Sequence, residues 1–221
     1  MKTKMTKQIK HHLTDALIMG YSAGTLPEAF NLAIATHISM CDTCRAAVES
    51  YDAVGGSVLE QCDQVEMGAQ ALADTLALIK RGGPAAPVSS TAKRTTDVPK
   101  PLAEYLAGSL DDVKWKPVGM GVKQAILETS KEASARLLYI PAGTAVPDHG
   151  HNGTELTLVL RGAFFDEEDY FGPGDIEVAT EADEHTPVAD IGEDCICLAV
   201  TDAPLKFKGM LPRLAQPFLR I

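Results

Sequence analysis

The stretch Gly143-Thr-Ala-Val-Pro-Asp-His149-Gly-His151-Asn-Gly-Thr-Glu155, closed after six further residues by Gly162, decides the architecture of the C-terminal half of this chain. His149 and His151 are two apart, so on a strand both rings face the same side. Glu155 follows across a turn, on the neighbouring strand. Two imidazoles and a carboxylate then converge inside a β-structure, a donor set that divalent transition metals take. Short alternating strands are predicted around this stretch, over 118–127, 135–140, 155–160, 175–179 and 194–200, with Gly/Pro turn clusters at 141–143 and 171–174. Regular short strands without a long helix indicate a sandwich or barrel, most simply of the jelly-roll type.

The spacing G-x5-H-x-H-x3-E-x6-G resembles the first motif of the cupin family without a mismatch. The second motif departs from the family pattern. Phe171-Gly-Pro-Gly174-Asp175 supplies its turn, and His185, eleven residues after Gly174, is the remaining histidine that could serve as fourth ligand. No Asn follows it four residues later, so the resemblance supports a fold and a metal site rather than catalysis. Cys195-Ile-Cys197 places two thiols on one strand face, a geometry poorly suited to a disulfide. They are either two small buried hydrophobes or oxidant-sensitive groups facing the interior near the metal.

The N-terminal half is organised around His37-Ile-Ser-Met-Cys41-Asp-Thr-Cys44. His37 and Cys41 are four apart, so they share one face if the helix continues. Two thiolates and one imidazole in so short a span are ligands of the kind zinc selects. A closed site needs a fourth. His12, next to the apolar face that begins at Leu13, is preferred over His11, which is expected in solvent, with Cys62 in reserve. Helices are predicted over 13–21, from the Thr25-Leu-Pro-Glu28 capping box to about 40, over 42–54 up to Gly55-Gly56, and over 65–81. Leu72, Leu76 and Ile79 form a stripe on the last of these. Periodicity alone favours that stripe completing the helical bundle over meeting a partner.

Gly, Pro, Ser and Thr dominate 82–101, which reads as a linker long enough that the two halves need not be rigidly docked. The domains expected are therefore a helical unit at 5–85, a linker at 86–100 and a β-barrel domain at 101–221. The net charge is −10. Residues 1–85 hold seven Lys and Arg against nine Asp and Glu, and the remainder thirteen against twenty-one, with no basic patch. Direct nucleic-acid binding is not expected. No apolar run approaches the ~18 residues a transmembrane helix needs, and the basic start runs into His11, His12 and Asp15 rather than a signal peptide. Met5 is an alternative start. Five cysteines, an odd number, two of them in a metal-type motif, indicate a reducing cytoplasm rather than a disulfide framework.

Taken whole, the chain resembles the ChrR-type zinc-dependent anti-sigma factors. The resemblance rests on His11-His-Leu-Thr-Asp-Ala-Leu17, Gly24-Thr-Leu-Pro-Glu-Ala-Phe30, the His37/Cys41/Cys44 cluster, His149/His151/Glu155, His185 and Asp202-Ala-Pro-Leu-Lys-Phe207. It implies an N-terminal zinc anti-sigma domain that binds an extracytoplasmic-function sigma factor, with the fourth helix taking part. Zinc at His12, His37, Cys41 and Cys44 would hold that domain folded. It further implies a cupin-like half whose metal, zinc or another divalent transition metal, is bound at His149, His151, Glu155 and His185. That half would be needed for release of sigma under oxidative stress such as singlet oxygen, and not for inhibition. The alternative is a dioxygenase-like cupin metalloenzyme with an accessory zinc module; a thiol switch at Cys41 and Cys44 ranks lower still.

Overall fold

The structure is a computed structural model and describes residues 8–82, 98–106, 108–209 and 216. Four helices open the chain: α1 (Asp15–Ser22), α2 (Glu28–Ile38), α3 (Asp42–Glu60) and α4 (Ala71–Arg81). A short α5 (Lys100–Ala103) precedes the strands. These are β1 (Lys116–Gly119), β2 (Val122–Leu127), β3 (Ser134–Ile140), β4 (His149–Gly150), β5 (Glu155–Arg161), β6 (Phe164–Phe165), β7 (Tyr170–Phe171), β8 (Ile176–Ala179), β9 (Glu184–His185), β10 (Val188–Ala189), β11 (Cys195–Thr201) and β12 (Lys206–Phe207). A six-stranded antiparallel sheet runs β1-β2-β3-β11-β5-β8, and two three-stranded sheets run β10-β6-β7 and β12-β4-β9. Residues of all three sheets line one cavity of about 430 Å³, as expected of a jelly-roll barrel. The two-residue strands were not foreseen, because alternation needs several residues to register.

The helices depart from expectation at their ends. Thr14 caps α1, accepting from the Leu17 amide. The predicted capping box at 25–28 does not form: α2 starts after Pro27 without a side-chain cap. The Glu28 carboxylate instead accepts from the Tyr105 hydroxyl at 2.8 Å and the Ser130 amide at 2.7 Å, both in the C-terminal half. α3 runs straight through Gly55 and Gly56 to Glu60. Each helical glycine costs about 1 kcal/mol relative to alanine, which lowers helix stability without breaking the backbone ladder. α4 begins at Ala71, later than predicted, and has no buried residue. Its stripe therefore does not complete a bundle core.

The sequence leaves the docking of the two halves open, and the structure supplies it. The outer face of the six-stranded sheet is apolar, and its inner face mixes apolar residues with Arg136, Glu155, Thr157 and Glu177. Along β3, Arg136, Leu138 and Ile140 line the cavity, while Ala135, Leu137 and Tyr139 point the other way. On β11, Cys197 and Ala199 face in and Ile196, Leu198 and Val200 face out; on β5, Thr157 faces in and Leu156 and Leu158 out. Such a sheet needs a cover on its outer face. α2 provides it: Phe30, Ala33 and Ile34 belong to the same buried cluster as Leu137, Leu156, Leu158, Leu198 and Val200. The halves are thus docked through a shared core. Of the expected linker, 86–97 lies outside the described residues, as do the first three residues of the expected helical unit; Val98 is already buried in this core. Glu28→Ala removes two hydrogen bonds across the seam. It is expected to lower stability by about 1 kcal/mol, read as a lower urea midpoint with an unchanged slope.

Candidate metal centres

The first cluster is assembled by three helix ends. His12 precedes α1, His37 lies in the last turn of α2, Cys41 caps α3 and Cys44 sits in its first turn. Cys41 is past the end of α2, yet its amide still donates to the His37 carbonyl at 2.8 Å, so the four-residue spacing works as the sequence implies. Ligand atoms of His12, His37, Cys41 and Cys44 all lie within 4.8 Å of one another. His12 Nδ1 is 3.3 Å from Cys41 Sγ and 3.6 Å from Cys44 Sγ. Cys62 is exposed beyond the end of α3 and plays no part.

The His37 tautomer is set from outside the helical half. Its Nδ1 lies 3.0 Å from the Gly174 carbonyl. A carbonyl only accepts, so Nδ1 carries the proton and Nε2 keeps its lone pair. Nε2 is buried without a hydrogen-bond partner, the signature of a ligand atom waiting for a cation. Burial lowers the His37 pKa to about 4, so the ring is neutral and ligand-competent at pH 7. Burial also pushes the Cys44 thiol up to about 11. A bound cation would reverse that by stabilising the thiolate. The donor set and the orphaned Nε2 fit tetrahedral zinc.

His11, expected in solvent, is engaged with the barrel. Its ring lies 4.3 Å from that of Phe171, and its Nε2 is 2.9 Å from Asp169 Oδ2. The sequence offered no signal for this, since both partners are about 160 residues away.

The second cluster lies in the barrel. β4 pairs with β9 so that His149 sits opposite His185, and this register, not motif spacing, recruits His185. His149 Nε2 and His185 Nε2 are 3.2 Å apart, and ligand atoms of His149, His151 and His185 lie within 4.8 Å of one another. Glu155, the first residue of β5 and expected as a ligand, falls outside that group of three; it meets His151 instead, with Oε2 3.3 Å from Nδ1. His151 Nε2 and Glu155 Oε2 are buried without hydrogen bonds, which again fits a cation. Burial lowers the His149 pKa. Burial would raise that of Glu155, but the three histidines outweigh it and hold it down.

Two acidic residues here escaped sequence reasoning. Glu177 Oε1 accepts from His185 Nδ1 at 2.9 Å, and Asp166 Oδ2 lies 3.4 Å from the same nitrogen. Burial works against a charged His185, but Glu177 outweighs it and raises the pKa to about 9. Burial raises Glu177 itself. A carboxylate behind a metal-ligating imidazole orients the ring and raises its basicity. Glu177 is visible as an inward residue only once β8 is known to pair with β5, Glu177 opposite Thr157. Asp166, Glu177 and His185 also form an overlapping group of possible ligands. The cavity beside the cluster is mainly apolar, with Val122, Leu138, Phe164 and Cys197 in its wall. Cys195 and Cys197 are free and buried. The hydrogen bond with Cys195, and then burial, hold the Cys197 thiol well above its usual range.

No described helix is long and apolar enough to cross a membrane. Residues 104–204 match the family described as the ChrR cupin-like domain. The chain is 55% identical over 217 residues to the anti-sigma-E factor ChrR of Cereibacter sphaeroides, covering 96% of this chain and 99% of the relative. It superposes with a TM-score of 0.77, at 53% identity, on a chain of the crystal structure of Rhodobacter sphaeroides SigE in complex with the anti-sigma ChrR, covering 88% of this chain and 100% of that one. With relatives so similar along nearly its whole length, and with both clusters in place, this chain belongs to the ChrR family of anti-sigma factors.

Proposed function

We propose that this protein is a cytoplasmic inhibitor of an extracytoplasmic-function sigma factor, held by its helical half and released through its barrel. The observation that carries the reading is the full-length likeness to a chain crystallised with a sigma factor. The exposed apolar surface of α4 supports it. Zinc at His12, His37, Cys41 and Cys44 holds α1, α2 and α3 together at their ends. A divalent transition metal, zinc being the first choice, is held in the barrel by His149, His151, His185 and Glu155. Bound there, it would supply a Lewis-acidic centre beside the cavity. Glu177 and the Pro147 carbonyl, 2.9 Å from His149 Nδ1, orient the rings. Oxidative chemistry such as that of singlet oxygen, at or near this centre, is the release signal.

Transcription by RNA polymerase with an extracytoplasmic-function sigma factor from the same genome tests the reading: the full chain should suppress it in proportion to the complex formed. His149→Ala combined with Glu155→Ala separates the two halves' roles. The doubly substituted chain is expected to bind one metal ion fewer by atomic emission, to inhibit within about twofold of the parent, and to stay bound under singlet oxygen. Normal release by that variant would rule out the barrel centre as the sensor. The apolar cavity beside the histidines favours one second reading, a cupin enzyme. Redox-active iron in the barrel together with oxygen consumption would establish it.

A further inference from the structure

Four consecutive residues form a wall common to both candidate centres. The Gly174 carbonyl accepts from His37 Nδ1. Asp175, buried, accepts through Oδ1 from the amides of Lys10 at 2.6 Å and His11 at 3.0 Å, the two residues leading into His12. Two residues further on, Glu177 faces the cavity and accepts from His185 Nδ1. Period-two alternation within β8 sends Ile176 outward into the shared core and Glu177 into the cavity, so the strand that begins beside His37 ends its first turn of alternation beside His185.

The wall is rigid. The Gly174 amide donates to the Val159 carbonyl at 2.9 Å, and the Val159 amide to the Asp175 carbonyl at 3.0 Å. Beyond them β8 pairs with β5 as far as Ala179, opposite Glu155. Gly174 has φ +91°, and a Cβ there would lie 2.7 Å from Ile9 Cδ1. Any side chain would be strained at this φ and would push the Ile9 side chain aside.

We propose that Gly174–Glu177 is a positioning segment that couples the two metal centres, so that an occupied barrel centre slows metal loss from the cysteine centre. It rests on the reading that both clusters hold metal. A cation on His149, His151 and His185 locks the Glu177–His185 bond and hence β8. An empty or damaged barrel centre frees Glu177 and lets the Gly174 carbonyl move off His37 Nδ1. Partners of this kind behind a metal ligand change metal affinity by about 10–100-fold. Coupling between two binding equilibria is reciprocal, so metal at the cysteine centre also favours metal in the barrel.

Cobalt tests this in the full chain, because thiolate-to-cobalt charge-transfer absorption that disappears in Cys41→Ser reports the cysteine centre alone. Loss of that band into excess chelator is timed in the parent chain at one and at two cobalt equivalents, with no substitution needed. It is then timed in His149→Ala/His151→Ala and in Glu177→Gln, each checked for unchanged circular dichroism. The second equivalent is expected to slow the loss by about tenfold, and both variants to abolish that slowing. The His37 Nδ1–H signal, sharp in the doubly loaded parent, should broaden in Glu177→Gln, which touches neither His37 nor the cysteines. Equal rates at one and two equivalents overturn the coupling. A chain that never develops the Cys41-dependent band overturns the reading beneath it, and the coupling with it.

Discussion

Replacing Cys41 and Cys44 together with serine is expected to remove one of two bound metal ions and all inhibition of the sigma factor. The two sulfurs are half of the donor set, and both residues are buried. A structural zinc contributes an apparent ~10–16 kcal/mol to folding in small zinc units. α1, α2 and α3 meet at the cluster, so a metal held there would decide whether α1 and α3 stay folded against α2. The loss should be graded along the chain. α2 is packed on the sheet through Phe30, Ala33 and Ile34 and should persist. α1 and α3, which meet it at the cluster, should loosen. The checks are metal content, a partial loss of far-ultraviolet ellipticity, and transcription equal to that without inhibitor. A variant that keeps both metals and full inhibition would remove the zinc cluster from the mechanism.

The second large effect is expected on α4. Leu72, Leu76 and Ile79 are 71%, 47% and 68% exposed, and their spacing puts them on one face. Val54, Val58 and Leu59 at the end of α3 are exposed as well. Apolar surface left uncovered in this way marks an interface. Truncation of a central anchor in such a surface typically costs about 2 kcal/mol or more, near thirtyfold in affinity. Leu72→Asp with Leu76→Asp also places two charges where leucines would be desolvated. The complex should weaken by at least about 100-fold, while metal content and thermal midpoint stay at parental values because neither side chain enters the core. Calorimetric titration with the sigma factor is the measurement. Unchanged affinity would place the sigma contact elsewhere on the helical half.

What the sequence determined by itself was chemistry carried by short spacing. Cys41 lies about one turn from His37 on one side and from Cys44 on the other. His149, His151 and Glu155 lie within seven residues. The longer strands are legible as apolar runs between turn residues, although the single strand expected over 118–127 is folded into the hairpin of β1 and β2 by a turn at Gly119-Met-Gly121. Local geometry fixes such groups wherever the chain goes, so the two clusters could be read without a fold. His12 was chosen over His11 by its neighbour Leu13, and the structure brings it to the cysteines.

The tertiary structure decided whatever depends on pairing between distant segments. His185 joins the barrel cluster through the register of β4 with β9, and Glu177 stands behind it because β8 lies against β5. Glu28 caps nothing and instead bridges to Tyr105 and Ser130. His11 leaves solvent for Phe171. One clue to the docking was in the sequence: β3, β5 and β11 carry apolar residues at both parities, and a sheet with apolar residues on both faces must be covered on both. Naming the cover required the fold. Burial of an apolar face is non-directional, so the pattern called for a partner on the outer face of the sheet, and only packing showed that the partner is α2.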